Sequence, residues 1–181
     1  MNKRLINRLY RTSLFALIFI MLCSVILVPE FHVKAASIFY VDDDWSSAVP
    51  GTDPDEGGPA TNFGTDSFAT IQEAVVAAQP GDTVQVLAGT YVEQVMINKD
   101  IILTTTEGAV IQAFPLMDAD CTSPLLVDNH PIVCIKDTNN AVVEGFTIDG
   151  LSLGDLDPMD GTNTNTRLIG VAMRNAGGTV Q

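Results

Sequence analysis

The clearest pattern along the chain is a series of short alternating apolar runs after residue 81. Val84 and Val86 flank a glutamine, and Val95 and Ile97 flank a methionine. Similar runs follow at residues 101–103, 110–111, 132–135, 142–143 and 146–148, and one precedes them at 38–41. A period of two is typical of β-strands, and the Gly, Asn and Asp residues between the runs are typical of turns. The pattern predicts a chain made mostly of short strands.

One segment before these runs has a helical period instead. A helix is predicted over residues 67–78, because apolar residues recur there at spacings of three and four, namely Phe68, Ile71, Val75 and Ala78. Asp66 or Ser67 would cap its first amide groups, and Pro80 followed by Gly81 would end it. The stretch before it, from residue 42 to 66, is rich in Asp, Gly, Pro, Ser and Thr, and is predicted to be a loop.

A weak internal repeat indicates how the strands are arranged. VCIKDTNNAVV, from Val133 to Val143, aligns with VAMRNAGGTVQ, from Val171 to Gln181, at an offset of 38 residues. About 15 of those residues, from Leu151 to Asn165, have the composition of an inserted loop, which leaves a unit of roughly 23 residues, the length of one coil of a β-solenoid.

We therefore predict an all-β fold, a parallel β-helix with a short capping helix at its N-terminal end. The helix would cover the first coil, since an open sheet edge invites aggregation. Gly89 is predicted to allow a sharp corner in this coil, and Tyr91 to cover that corner. An antiparallel β-sandwich is the alternative arrangement of so many short strands.

Residues 1–35 have the three parts of a secretory signal. A basic opening precedes an apolar run from Leu14 to Val28, and small residues stand before a cleavage point after Ala35 or Ala36. The alternative is an uncleaved anchor, although the apolar run is shorter than the ~20 residues of a membrane span. The expected organisation is a signal peptide at 1–35, a strand and loop at 36–66, a capping helix at 67–80, and β-helix coils at 81–181, truncated at the C-terminus.

The charge of the remaining chain limits its partners. Without residues 1–35 it has four basic and 21 acidic residues, and hence a net charge of −17. Such a chain does not seek nucleic acid or anionic membrane surfaces, so membrane contact is expected only through an uncleaved signal segment. It would also repel an acidic polysaccharide unless a cation bridged the two.

Two features of the sequence suggest further sites. Cys121 and Cys134 remain after the signal, and export permits a disulfide between them. The segment DLDPMDGTNTN crowds oxygen ligands into one loop, and Ca²⁺ favours such ligands. The candidate calcium ligands are Asp155, Asp157, Asp160 and Asn163. The alternatives are unpaired buried thiols and a plain polar loop.

The segment from Phe68 to Leu103, FATIQEAVVAAQPGDTVQVLAGTYVEQVMINKDIIL, resembles the opening of pectin-lyase-like, right-handed parallel β-helix proteins. The shared patterns are Phe-x-Thr-Ile-Gln-x-Ala, Pro-Gly-Asp-Thr-Val and Gly-Thr-Tyr-x-Glu-x-Val-x-Ile. VVEGFTIDG, from Val142 to Gly150, is similar to a later coil of that fold. The resemblance implies an exported bacterial member and a right-handed helix, but no activity, because fold does not determine function.

The catalytic residues of that family do not appear in this chain. The Gly-Asn-x-Asp-Phe-Ile-Phe-Gly motif of pectinesterases is absent, and so is the Asn-Thr-Asp, Asp-Asp, Gly-His-Gly set of polygalacturonases. A lyase needs a basic residue beside a substrate carboxylate, and the basic residues after the signal are Lys99, Lys136, Arg167 and Arg174. His130 lies in a predicted loop and is not expected to be a catalyst. No catalytic residue is assigned.

Three functions are compatible with these observations. The first is a secreted or surface-displayed solenoid that contacts extracellular carbohydrate, without a complete active site in this segment. The second is the N-terminal part of a polysaccharide-active enzyme, pectate lyase-like or pectinesterase-like, with its catalytic residues beyond residue 181. The third is a structural stalk of a surface protein.

Overall fold

The structure, a computed structural model, describes residues 35–115, 117, 129–153 and 167–181. The chain divides into two units, Met1–Ala35 and Ala36–Gln181. The predicted signal at 1–35 thus lies almost wholly outside the described residues, and the fold below is that of the second unit. No helix within the described ranges has both the length and the apolar character that a membrane span requires.

The described strands form three parallel sheets, here named A, B and C. Sheet A contains β1 (Ile38–Val41), β2 (Ser67–Phe68), β3 (Thr83–Val86), β6 (Ile102–Thr105), β9 (Ala141–Glu144) and β12 (Gly178–Val180). Sheet B contains β4 (Thr90–Val92), β7 (Val110–Gln112) and β10 (Thr147–Asp149). Sheet C contains β5 (Val95–Ile97), β8 (Asn129–Lys136) and β11 (Arg167–Arg174). From β3 onwards the chain visits the sheets in the fixed order A, B, C, and we call one such round a pass.

The strand and loop predictions are largely confirmed. Every apolar run that the sequence singled out contributes to a strand, and the described strand pairs are all parallel. The alternative of an antiparallel β-sandwich is therefore wrong for the described part of the chain. The protein is an all-β fold of parallel sheets with one α-helix among the described residues.

Alternation along each strand separates a buried side from an outer side. In sheet A the buried row runs through Phe39, Val84, Leu103 and Val143, which pair in register from strand to strand. In sheet B the corresponding buried pair is Tyr91 and Ile111. Stacking these aliphatic and aromatic side chains on neighbouring strands removes them from water, and this burial is the main force holding the sheets together.

The helix α1 spans Ile71–Ala77 and is shorter than predicted. Ser67 and Phe68 do not belong to it, because they pair with Tyr40 and Val41 as β2. The prediction that the helix begins at residue 67 is wrong, and so is the prediction that Asp66 or Ser67 caps it. All four predicted apolar positions of this segment are nevertheless buried in the core, namely Phe68, Ile71, Val75 and Ala78.

The cap of α1 is Thr70, whose side chain accepts a hydrogen bond from the Glu73 amide at 3.2 Å. At the other end, Lys99 Nζ donates to the carbonyl oxygens of Val76 and Ala78 at 3.1 and 2.9 Å. A cation at a helix C-terminus satisfies the last carbonyls, which have no partner within the helix. Lys99 is therefore a structural residue.

The internal repeat is confirmed over sheet C and shifted by one residue in sheet A. Val133 pairs with Val171 at the expected offset, but Val143 pairs with Val180, which is one residue closer. The turn between the strands is thus one residue shorter in the later pass. A slip of one residue reverses which side chains face the core. The sequence alignment places Gln181 opposite Val143, whereas in the structure Val180 pairs with Val143. The first pass is also shorter than the predicted unit, since Thr83 pairs with Ile102, 19 residues later.

The corner between sheets C and A is held by one carboxylate. Asp100 accepts hydrogen bonds from the Thr138 hydroxyl, from the Asn139 and Asn140 amides at 3.0 Å each, and from the Asn140 side chain at 3.2 Å. These bonds, the Thr138 hydroxyl first, hold the pKa of Asp100 below its usual range. Asp100 therefore connects the corner of one pass to the corner of the next.

Candidate functional site

Several residues of the sequence motifs form a hydrogen-bonded network around α1. Gln72 lies on the helix, and its side chain bonds both backbone groups of Met96 in β5: it accepts from the amide at 2.7 Å and donates to the carbonyl at 3.5 Å. The helix therefore continues the hydrogen bonding of an edge strand that would otherwise be open. Gln72 of the Phe-x-Thr-Ile-Gln-x-Ala motif therefore contacts the strand formed by the Val-x-Ile end of the Gly-Thr-Tyr motif.

Glu93 completes this network from the connection between β4 and β5. Its two carboxylate oxygens accept from the Ile71 and Gln72 amides at 2.8 Å each. These amides belong to the first turn of α1 and have no partner within the helix. Burial raises the pKa of Glu93, although the two amides oppose that shift. The Glu of the Gly-Thr-Tyr-x-Glu motif is thus a helix cap and not a free catalytic acid.

Tyr91 lies in the core and meets the corner between β3 and β4 from its inner side. Its ring points inward between the sheets, with 3% of the residue exposed. Its hydroxyl donates to the carbonyl oxygens of Val41 and Leu87 at 3.2 and 3.1 Å. Burial raises the pKa of Tyr91, and the nearby carboxylates of Asp43 and Asp42 raise it further. The hydroxyl therefore stays protonated and serves as a structural donor.

The corner beside Tyr91 holds the candidate metal ligands of the described chain. Oxygens of Asp42, Asp43 and Asp44 lie within 4.8 Å of one another, and no other described group of His, Cys, Asp and Glu side chains gathers in this way. The three residues follow β1 directly, and Asp43 and Asp44 begin a 3-10 turn over Asp43–Ser47. Burial raises the pKa of Asp42, as do the charges of Asp44, Asp43 and Glu107.

Two of these three carboxylates already have structural partners. Asp42 accepts from the Asp44 amide at 3.0 Å, and Asp43 accepts from the Thr90 amide at 3.3 Å. Asp43 also fills the space beside Gly89, where an added Cβ would collide with it. A side chain at position 89 would therefore displace this carboxylate, and the φ of Gly89 is not in the left-handed region. The free carboxylate oxygens could hold a divalent cation, because hard cations take oxygen ligands. The sequence signal for this cluster was the run of three aspartates, which by itself only marked the end of a strand.

The calcium site predicted at Asp155, Asp157, Asp160 and Asn163 lies outside the described residues. It stays a prediction, and the Asp42–Asp44 corner is a separate group. Cys134 lies on β8, is fully buried and is disulfide-bonded. Cys121 lies outside the described residues, so the Cys121–Cys134 pairing also stays a prediction.

The basic residues whose side chains the structure describes lie at or just after the C-terminal ends of the strands of sheet C. Lys99 caps α1, as shown above, while Lys136 and Arg174 stack in register at the ends of β8 and β11. Arg174 also lies 3.8 Å from Asp137. His130 is in β8 and not in a loop, and its Nδ1 contacts the Met117 carbonyl oxygen at 2.6 Å. This contact gives His130 a structural role.

The outer side of sheet A presents two rows of side chains that the motifs did not indicate. The first, here named the apolar row, contains Ile38, Thr83, Ile102, Val142 and Thr179. The second, named the polar row, contains Tyr40, Gln85, Thr104 and Glu144. Ile38 and Ile102 leave 48% and 39% of their surface exposed. Contiguous exposed apolar patches mark interaction sites, whereas aliphatic side chains exposed singly are common; Thr83 lies between these two isoleucines, and Val142 lies beside Ile102.

Comparison of the chain with protein-family models, with curated proteins and with solved structures finds no match. The resemblance to pectin-lyase-like proteins therefore stays a prediction from the motif residues.

Proposed function

We propose that the chain is exported and that residues 36–181 form a right-handed parallel β-helix which contacts extracellular carbohydrate through the outer side of sheet A. Export is supported by the signal-like segment at 1–35. The β-helix is supported by the fixed visiting order of the three parallel sheets. Its hand is supported by a general rule, since connections between parallel strands of one sheet are nearly always right-handed.

The observation that carries the carbohydrate contact is the pair of rows on the outer side of sheet A. Sugars present hydroxyl groups and apolar ring faces together. A binding surface for them needs donors and acceptors beside apolar or aromatic side chains, as in most small-molecule sites. The polar row supplies a phenol, an amide and a hydroxyl at Tyr40, Gln85 and Thr104, and the apolar row lies directly beside it.

The remaining motif residues support a contact function more than chemistry within the described chain. Thr70, Gln72, Tyr91 and Glu93 are engaged in holding α1 and the first pass together. Their side-chain oxygens point to backbone groups, so their arrangement serves the fold. We therefore assign the binding surface to the outer side of the sheets.

The test begins with the full chain expressed in a bacterial host that secretes it. The medium is collected, and the protein is mixed with insoluble polysaccharides and with purified cell walls. We expect the protein in the medium, and we expect it to co-sediment with at least one of these materials. Absence from the medium would contradict export, and absence from every pellet would favour the stalk. Release of reducing ends or unsaturated uronate from a bound polymer would favour the enzyme instead.

A further inference from the structure

The outer side of sheet A carries little charge for so acidic a molecule, as does sheet B, whose described strands hold Asp149 as their one acidic residue. Glu144 is the one acidic residue at an outer position of this sheet among the described strands. The other acidic groups discussed above lie elsewhere, at the corners, as Asp42–Asp44, Glu107 and Asp100 do, or at the helix, as Glu93 does. The outer positions of β1, β3 and β6 therefore carry no formal charge, and the acidic residues Asp42–Asp44 directly follow β1.

From this charge pattern we infer that the ligand of sheet A is an uncharged polysaccharide, lying along the stacking direction across successive strands. The inference rests on the proposed function and adds the class of the ligand and its direction. A polymer of neutral sugars forms no ion pairs, so the absence of charge on this face does not weaken its binding. An acidic polymer, in contrast, would approach a chain with a net charge of −17 after the signal and would be repelled.

The direction follows from the register of the polar row. Tyr40, Gln85 and Thr104 occupy the same position on three neighbouring strands. Neighbouring strands lie about 4.8 Å apart, so hydrogen-bonding groups recur at that spacing along the stacking direction. Gln85 Nε2 donates to Thr106 Oγ1 at 3.4 Å, which steadies the amide in the row. A polymer with a regular succession of hydroxyls can meet several such groups at once, and linked contacts strengthen one another.

The experiment is affinity gel electrophoresis of the full-length secreted protein in gels that contain polymers of matched backbone. Hydroxyethylcellulose is compared with carboxymethylcellulose, and galactomannan and xyloglucan are compared with polygalacturonate and alginate. Each gel is run at low and at high salt. We expect retention by at least one uncharged polymer, with the same affinity at both salt concentrations, since no charge is neutralised on binding.

Variants assign the binding to the proposed face. Gln85→Ala and Thr104→Ala each remove one hydrogen-bonding group from the polar row, and we expect retention to weaken about fivefold for each. Thr90→Ala and Thr147→Ala are the matched controls, because both threonines are exposed on the outer side of sheet B. We expect the controls to bind like the unchanged protein. Circular dichroism is the check that all four variants are folded.

The outcomes separate this inference from the proposed function. Retention by acidic polymers alone would overturn the uncharged ligand while keeping carbohydrate contact. If Thr90→Ala and Thr147→Ala weaken retention by an uncharged polymer and the polar-row variants do not, the assigned face is wrong. Retention by no polymer would overturn both.

Discussion

Several single residues in this protein hold segments that are far apart in the sequence. Glu93 holds the first turn of α1 from a position 22 residues beyond Ile71, and Asp43 meets Thr90 across 47 residues. Such side chains act as clamps on backbone amides, which are costly to leave without partners in a folded protein. Their loss should therefore be measurable as a loss of stability.

The first expectation concerns Glu93 and its exposed neighbour Glu73. Glu93→Ala removes the acceptor of two helix amides, and we expect it to lower the free energy of unfolding by about 1–3 kcal/mol. Glu73→Ala changes the same residue type on the exposed side of α1, and we expect a loss of about 0.5 kcal/mol or less. Urea denaturation of the three proteins measures the difference. Equal losses would show that Glu93 does not cap the helix.

Gly108 and Gly145 allow the cost of backbone conformation to be separated from the cost of a collision. Both have φ of +86°, but an added Cβ meets nothing within 4 Å at Gly108 and meets the Thr105 carbonyl at Gly145. We expect Gly108→Ala to cost about 1–2 kcal/mol for the left-handed conformation. Gly145→Ala should cost more, because a carbonyl must also move. Thermal unfolding of both variants provides the measurement. A larger loss of stability for Gly108→Ala than for Gly145→Ala would contradict the contact between Gly145 and the Thr105 carbonyl.

At the scale of elements, each strand has one side in the core and the other in solvent. Leu103 and Ile102 are neighbours in β6, with 0% and 39% of their surface exposed. We expect Leu103→Ala to destabilise the protein by about 2–5 kcal/mol, since it leaves a cavity in the buried row. Ile102→Ala should cost less than about 1 kcal/mol. Denaturant midpoints measure both, and a larger effect at Ile102 would mean that the strand faces the other way.

The corner that Asp100 holds should give stability a dependence on acid. Hydrogen bonds keep its pKa below the usual value, so its contribution is present above about pH 4 and is lost as the pH falls through the lower folded pKa. We expect Asp100→Asn to be less stable than the unchanged protein at pH 7, and the difference to shrink between about pH 4 and pH 2. Urea midpoints across this range measure it.

Asp137→Asn is the matched control, because it removes a carboxylate from the same corner. Its ion pair with Arg174 is long, at 3.8 Å, and both side chains are largely or partly exposed. We expect its effect at pH 7 to be within about 0.5 kcal/mol. An effect as large as that of Asp100→Asn would attribute the stability to charge alone and not to the amide contacts.

At the scale of the whole molecule, the disulfide of Cys134 stabilises the fold mainly by restricting the unfolded chain. We expect reduction to lower the free energy of unfolding by about 2–5 kcal/mol, because a cross-link restricts the unfolded ensemble. Peptide mapping without reduction should identify Cys121 as the partner, and Cys121→Ser should reproduce the loss. Alkylation of Cys121 in the native, unreduced protein would contradict the pairing.

How far sequence reasoning reached depends on the range of the interactions involved. The strands around Val84, Val95 and Val142 were predicted correctly, since alternation is a local property of the chain. The start of α1 was not, because Ser67 and Phe68 are held by pairing with β1 rather than by helix formation. Tyr91 was placed at its corner correctly, but its second contact, with Val41 of an earlier strand, was not foreseen, because it joins residues 50 positions apart.

By itself, the sequence determined that this is a chain of short strands with one helix, a signal-like beginning and a strongly acidic remainder. These properties follow from composition and from spacing over a few residues. Only the tertiary structure decided which strands share a sheet, that Val180 lies in the row of Val143, and that the outer rows of sheet A combine apolar and polar side chains. Register and surface rows arise between residues that are 19 or more positions apart, so no local pattern encodes them.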